Sequence, residues 1–281
     1  MTTQLELIRQ QQKESWNKIS AGWKKWDDMT MDFLKPMGDE IIRTLNIKED
    51  DIILDVAAGT GEPGLTIATM LTSGKVYITD IAENMVEIAR ENAIRRGIAN
   101  VETITAEVSE LPFADNSFDV ISCRFGFMFF PDMELAAKEM VRVLKPGGRI
   151  ATSVWSVAEK NFWVTAIMGS INKNISMPAA IPGSPGMFRC SSGRFMTDLF
   201  SNAGLKNISE TEIFGKLNCG NAEGYWDFMS EVAGPVAAAL GKADEEVKAK
   251  IKCEVIDSIN QRYPVGKTMV DSNGIIIYGQ K

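Results

Sequence analysis

The residues Gly59-Thr60-Gly61-Glu62-Pro63-Gly64 have the types and spacing to cradle a nucleotide-like ligand. They follow a short apolar run, Ile52 to Ala57, and open a helical pattern from Pro63 to about Leu71. Asp80 ends a second strand-like run, Lys75 to Asp80, 21 positions beyond Gly59. Glycines let a backbone approach a nucleotide closely, and an acid at that distance can accept both hydroxyls of a ribose. NAD and S-adenosylmethionine both carry adenosine, so the loop admits either. Glu62 and Pro63 weigh against a pyrophosphate, because one adds a carboxylate and the other removes an N–H where the phosphates would sit. The ammonium and sulfonium of S-adenosylmethionine tolerate acids such as Asp55 and Glu62.

The chain contains no histidine. That excludes a Ser-His-Asp hydrolase, a Cys-His protease, a histidine-ligated metal and a dehydrogenase with a histidine acid. A proton, if one must move, falls to a carboxylate, Tyr, Lys, Cys or water, with Glu107, Asp28, Tyr225 and Lys24 as candidates. Cys123, Cys190, Cys219 and Cys253 are scattered without C-x-x-C spacing, so reduced thiols are expected rather than disulfides or zinc. The 30 basic against 37 acidic residues, net −7, argue against nucleic acid as a partner. No apolar run is long enough to span a bilayer and no signal pattern opens the chain, which gives the expectation of a cytoplasmic protein, monomer or homodimer.

These residues need a scaffold, and the surrounding pattern supplies one. Strand-like runs at 52–57, 75–80, 101–105, 118–123 and 149–155 alternate with helical stretches at 83–96 and 132–144. Such alternation predicts an α/β fold, a Rossmann-like seven-stranded, mostly parallel sheet with helices on both faces. Two amphipathic stretches precede it, about 3–21 and 30–46. After Trp155 the pattern loosens, with Pro178, Pro182, Gly183, Pro185 and Gly186 breaking residues 177–187, then resumes as a helix over 192–203, a strand over 208–214, helical texture over 221–262 and a strand over 274–278. Residues 1–48 are expected as an N-terminal helical cap, 49–155 as the cofactor-binding core, and 156–281 as completion of the sheet with helical cap insertions at about 156–188 and 221–264.

Four stretches in order resemble the class I S-adenosylmethionine-dependent methyltransferases. They are Ile53-Leu54-Asp55-Val56-Ala57-Ala58-Gly59-Thr60-Gly61; Tyr77 to Met85; Ala106-Glu107-Val108 to Phe113 with Asn116 to Val120; and Phe130-Pro131-Asp132 to Glu139 with Arg142 to Gly148. Over about residues 50–155 the chain is similar to the ubiquinone/menaquinone-biosynthesis methyltransferases and related small-molecule enzymes. The resemblance implies methyl transfer from S-adenosylmethionine to a small-molecule acceptor, and leaves an NAD-dependent oxidoreductase or a non-catalytic cofactor-binding protein as alternatives. The arsenic-methylating group fits poorly, for want of paired cysteines.

Carried over by position, Gly59 and Thr60 lie along the methionyl portion, Asp80 accepts the ribose hydroxyls and Glu107 with Val108 stands near the adenine, while Asp55, Ala57, Gly61, Ile81 and Met85 complete the expected cofactor-binding set. Arg124 stands where the quinone-pathway enzymes carry a small residue, and could meet a cofactor carboxylate or an acceptor anion. Asp132 is expected as a helix N-cap and Asp119 as a structural hydrogen-bond partner. Direct attack on a sulfonium methyl calls for positioning and exclusion of water, with no metal. Trp23, Trp26, Phe127 and Trp155 are the aromatic residues expected to pack the acceptor. With no histidine, an acidic acceptor that reacts as its own anion, such as a phenol, enolate or activated carbon acid, is expected.

Overall fold

Each of the central strands reads as a nearly continuous apolar run because helices cover both faces of the sheet. The structure, a computed structural model, describes residues 3–176, 183–264 and 268–281; Pro178, Pro182 and the rest of 177–182 in the expected 156–188 insertion lie outside them. Seven strands, Ile52–Val56 (β1), Lys75–Asp80 (β2), Val101–Thr105 (β3), Phe118–Arg124 (β4), Leu144–Trp155 (β5), Lys206–Gly220 (β6) and Thr268–Gln280 (β7), form one sheet in the order β3-β2-β1-β4-β5-β7-β6. Strands β1 to β5 pair in parallel, while β7 runs antiparallel to both neighbours, β5 and β6.

The chain leaves β1 toward β2 on one side and later crosses to β4 on the other. Strand order therefore reverses at β1, and the crevice at the carboxyl ends of β1 and β4 is where such a sheet holds a ligand. Asp55 pairs with Ser122 in the β1–β4 register and Val56 with Thr79 in the β1–β2 register, so the three strand ends are level.

Among the described residues the helices are Gln4–Lys25 (α1), Asp27–Leu45 (α2), Gly64–Ala68 (α3), Glu83–Arg95 (α4), Met133–Val143 (α5), Phe162–Asn174 (α6), Phe195–Asn202 (α7), Ala222–Val232 (α8), Gly234–Leu240 (α9) and Glu245–Arg262 (α10). Helix α2 buries Phe33 together with Leu34, Met37, Ile41 and Leu45, the last four spaced three or four apart, against β4 to β7, and α4 packs on β2 and β3. Helices α1, α8 and α9 meet above the strand ends. Asp132 caps α5 by accepting the Leu135 N–H at 2.9 Å, and Asp119 accepts the Ile52 N–H and pairs with Lys145. Both serve the fold.

The first two helices are longer than their apolar spacing predicts, meeting at Trp26, and α3 is shorter. Helix α6 falls inside the helical insertion expected at about 156–188, without the apolar spacing that would have fixed its ends. Its sequence, FWVTAIMGSINKN, is apolar around most of its circumference and so lacks a one-faced period.

Candidate functional site

Asp55 is the penultimate residue of β1 and is fully buried. Its carboxylate accepts the Gly64 N–H at 2.8 Å and the Ser122 hydroxyl at 2.7 Å, joining the start of α3 to β4. Burial pushes its carboxyl up to about 7, against these two hydrogen bonds and nearby Arg124. A Cβ at Gly64 would lie 2.8 Å from Asp55 Oδ2, so only glycine fits there.

Asp80, at the end of β2, is held by the loop itself. Gly59, at φ +57°, donates its N–H to Oδ2 at 2.9 Å, and Ala82 donates to Oδ1 at 2.9 Å. Burial raises its pKa while the backbone N–H groups of Ala82, Gly59 and Ile81 pull it down. The side chain keeps 8% exposure, and the residue lines a cavity of about 310 Å³ at the strand ends. Each oxygen retains acceptor capacity for a ligand hydroxyl.

Ala57, Gly59, Asp80, Ile81, Met85, Glu107, Val108 and Arg124 all line this cavity, as do Trp23 and Trp155. Ala57 (φ +53°) and Phe125 (φ +61°) hold left-handed backbone at the ends of β1 and β4, where strain of this kind collects at ligand sites. Glu107 is not free, for it accepts the Ser109 hydroxyl at 2.9 Å and pairs with Arg9 of α1 at 3.4 Å. Its expected position beside the adenine thus comes already engaged by a helix about a hundred residues upstream. Glu62 also lines the cavity, pairs with Arg96 and accepts the Thr66 N–H at 3.1 Å.

Five expected residues lie off the cavity, each for a packing reason. Asp55 is consumed by Ser122 and Gly64. Thr60 is turned toward Asp27, which its hydroxyl meets at 3.2 Å, and its carbonyl accepts Asn92. Gly61 faces Leu65 and Ala89. Trp26 donates to Glu231 at 2.8 Å and lies edge-on to Phe228, on the outer side of α8. Phe127 is fully buried between Phe130 and Phe200.

The far wall is aromatic. Phe125 stacks on Trp155 at 4.0 Å, and Trp155 in turn contacts Trp163 at 4.8 Å and Phe33 at 5.8 Å. Trp16 lies edge-on to Trp23 and Phe129, and Trp23 is anchored by donation to the Val232 carbonyl at 3.0 Å. Thr30, Phe33 and Leu34 of α2 and Pro235 of α9 line the cavity too, residues that the sequence reading did not place there.

None of the candidate bases is poised. Tyr225 is fully buried, donates to the Trp163 carbonyl at 2.7 Å and has its pKa raised by burial. Lys24 pairs with Glu91 on the surface, Asp28 is exposed, and Glu107 is engaged as above.

A parallel sheet with a reversal at β1, a glycine loop clasping an acid, and one antiparallel strand inserted beside the edge define the Rossmann-like methyltransferase fold. A solved S-adenosylmethionine-dependent methyltransferase from Aquifex aeolicus shares it, with a TM-score of 0.51 and 24% identity over 68% of this chain and 89% of that one. The chain belongs to the ubiE/COQ5 methyltransferase family, whose model matches residues 7–170. It is similar to the demethylmenaquinone methyltransferase of Geobacillus kaustophilus, 37% identical over 39% of this chain and 47% of the relative. It is also similar to the ubiquinone/menaquinone biosynthesis C-methyltransferase UbiE of Azotobacter vinelandii, 39% identical over 39% of this chain and 44% of the relative. The chain spans about half the length of the curated relatives it matches. Family membership displaces the oxidoreductase alternative. No helix of the described residues is long and apolar enough to cross a membrane.

Proposed function

We propose that this protein methylates a small aromatic acceptor that reacts as its own anion, a reduced quinone-type ring being the class the relatives' names suggest. The observation that carries the reading is one cavity with two unlike walls, a polar one at Gly59 and Asp80 and an aromatic one around Phe125 and Trp155. The residues present fit S-adenosylmethionine: Asp80 retains acceptor capacity for ribose hydroxyls, Ile81, Met85 and Val108 form an apolar sleeve for the adenine, and Ala57 and Gly59 border the methionyl end. Bound there, S-adenosylmethionine supplies a methyl group on a sulfonium.

The protein's own part is placement. The stacked Phe125–Trp155 pair gives a planar acceptor a flat surface, and Trp16, Trp23 and Phe129 extend the aromatic lining and help exclude water. The engaged state of Glu107, Tyr225 and Lys24 supports an acceptor that arrives already acidic. A ring hydroxyl that ionises near neutrality activates its own oxygen and the adjacent ring carbon alike.

The test is release of S-adenosylhomocysteine with 1,4-naphthohydroquinone and a series of ring-substituted phenols across pH. The expected outcome is a pH–rate profile whose midpoint follows the acceptor's pKa. A midpoint that stays fixed across the series, and disappears with one side-chain substitution, would show a protein base instead.

A further inference from the structure

Strand β6 closes one side of the sheet, and no further strand pairs with its outer edge among the described residues. The hydrogen bonds of β7 fix which backbone groups of β6 point outward. Asn273 of β7 donates its N–H to Asn161 Oδ1 at 2.9 Å, and its carbonyl accepts the Ser156 N–H at 3.1 Å, both on the β5 side. In an antiparallel ladder a residue whose backbone faces one neighbour does not bond the other, so Phe214, opposite Asn273, is a non-hydrogen-bonded position of the β6–β7 pair. The register runs unbroken from Ser209 to Asn218 and carries the same parity to Glu210, Glu212 and Lys216. The N–H and C=O of these four residues therefore face outward, and none meets a partner among the described residues.

A long edge is usually protected by proline, a bulge or a cover. Between Ser209 and Asn218, β6 has neither proline nor a shift in register. It displays Phe214, 70% exposed, with Glu212 two positions before and Lys216 two positions after, both exposed on the same face. Lys160 pairs with Glu212 and stands 6.0 Å from the centre of the Phe214 ring. Charges on an edge ordinarily discourage pairing, but the order of these is self-complementary. Antiparallel pairing of β6 with the same strand of a second copy, about a two-fold axis at Phe214, sets Phe214 against Phe214 and Glu212 against Lys216 on both sides of it. In that register the outward backbone groups of residues 212, 214 and 216 meet as hydrogen-bonded pairs. An axis at Glu212 or at Lys216 would instead oppose like charges, which is destabilising.

We propose that the edge of β6 around Phe214 is a self-association surface whose partner is a second copy of this chain, joining two seven-stranded sheets into one continuous sheet. The backbone pairs supply attraction, and the aromatic pair with its two flanking ion pairs selects the register.

Sedimentation velocity on the full chain from about 1 to 100 µM tests this, a range that brackets a micromolar dissociation constant. The expected result is a concentration-dependent rise from 31.0 kDa to twice that mass. Lys216→Glu leaves the Lys160–Glu212 pair in place but sets two carboxylates opposite each other at both symmetric positions, and should weaken the dimer about tenfold. Glu212→Lys alone should weaken it similarly. Mixed in equal amounts, the two variants present opposite charges at both positions and should associate within about threefold of the unaltered chain. Phe214→Pro removes an outward N–H that the single chain does not use, and should remain at 31.0 kDa throughout. Thermal melting confirms that each variant is folded, and Lys216→Glu with the mixture decides the matter should Phe214→Pro not fold. An unaltered chain that stays at 31.0 kDa up to the highest concentration overturns the proposal. So does a dimer that Lys216→Glu leaves unchanged, or a mixture that associates no better than its two components.

Discussion

The floor and the cover of the cavity are fastened in different ways. The floor, at the ends of β1, β2 and β4, is held by buried carboxylates that accept backbone N–H groups: Asp80 from Gly59 and Ala82, Asp55 from Gly64. The cover includes α1, which buries little more than Ile19 and Ser20. It is attached to α4 and α8 by the pairs Lys13–Glu83, Lys24–Glu91 and Lys25–Glu231, in which every side chain is a third or more exposed. Pairs of that kind contribute roughly 0–1 kcal/mol each and weaken with salt. The comparison teaches that the strand ends around Asp80 are fixed by buried backbone hydrogen bonds, whereas much of the attachment of α1 is exposed ion pairing.

Removal of residues 1–30 probes the difference most severely. It is expected to lower turnover about 100-fold or more, because Trp16, Trp23 and Thr30 leave the cavity wall, while the sheet still melts cooperatively. Rates of S-adenosylhomocysteine formation set beside melting curves check this, and normal turnover by the truncated chain would break the distinction.

Asp80→Ala removes the ligand-facing acid of the floor. A loss of about 1–3 kcal/mol in binding, roughly 5- to 150-fold in Kd, is expected from a charged hydrogen-bond partner, with the fold retained. Calorimetry with S-adenosylhomocysteine measures it, and unchanged affinity would remove Asp80 from the site.

Asp55→Asn sharpens the comparison through pH. The folded protein holds the Asp55 proton up to about pH 7, whereas an ordinary aspartic acid releases it near 3.8. Between those values the native state binds the extra proton, so this residue's stabilising contribution is complete below the lower value and is lost as pH rises through the upper one. The slope is at most about 1.4 kcal/mol per pH unit. Urea melts from about pH 4.5 to 7.5 should show the variant gaining stability relative to the unaltered chain as pH rises. Parallel curves for the two proteins would deny Asp55 that role. Smallest of all, Lys13→Ala in the cover should cost under about 1 kcal/mol, with the difference disappearing in high salt. A salt-independent loss would mean that α1 is fastened by packing after all.

The same contrast decides what the sequence reveals. Strands β1 and β2 were legible almost to the residue, since burial on both faces leaves an apolar run cut off by glycines and an acid. Strands β6 and β7 extend well beyond the expected 208–214 and 274–278, because β6 is an edge strand with largely exposed side chains and its partner carries Asp271, Ser272 and Asn273 within the ladder. At the site, Asp80 was readable from its distance to Gly59, a local relation. The pairing of Glu107 with Arg9, the turning of Thr60 toward Asp27 and the exposure of Thr30 to the cavity depend on where α1 and α2 settle. A lone threonine within an amphipathic helix carries no signal of that.

Strand β7 enters the sheet between β5 and β6, and Trp155 at the end of β5 lies opposite Gly274. Everything from α6 to α10 is thus one long excursion whose two ends are clasped side by side, next to the stacked ring of Trp155. Until residues 268–280 are in place, β5 has an open edge and β6 has no neighbour. The order of assembly follows: the five parallel strands can associate as they emerge, but the aromatic wall receives its final support last, from pairings more than a hundred residues apart, so the capacity to hold an acceptor should mature later than the capacity to hold the cofactor.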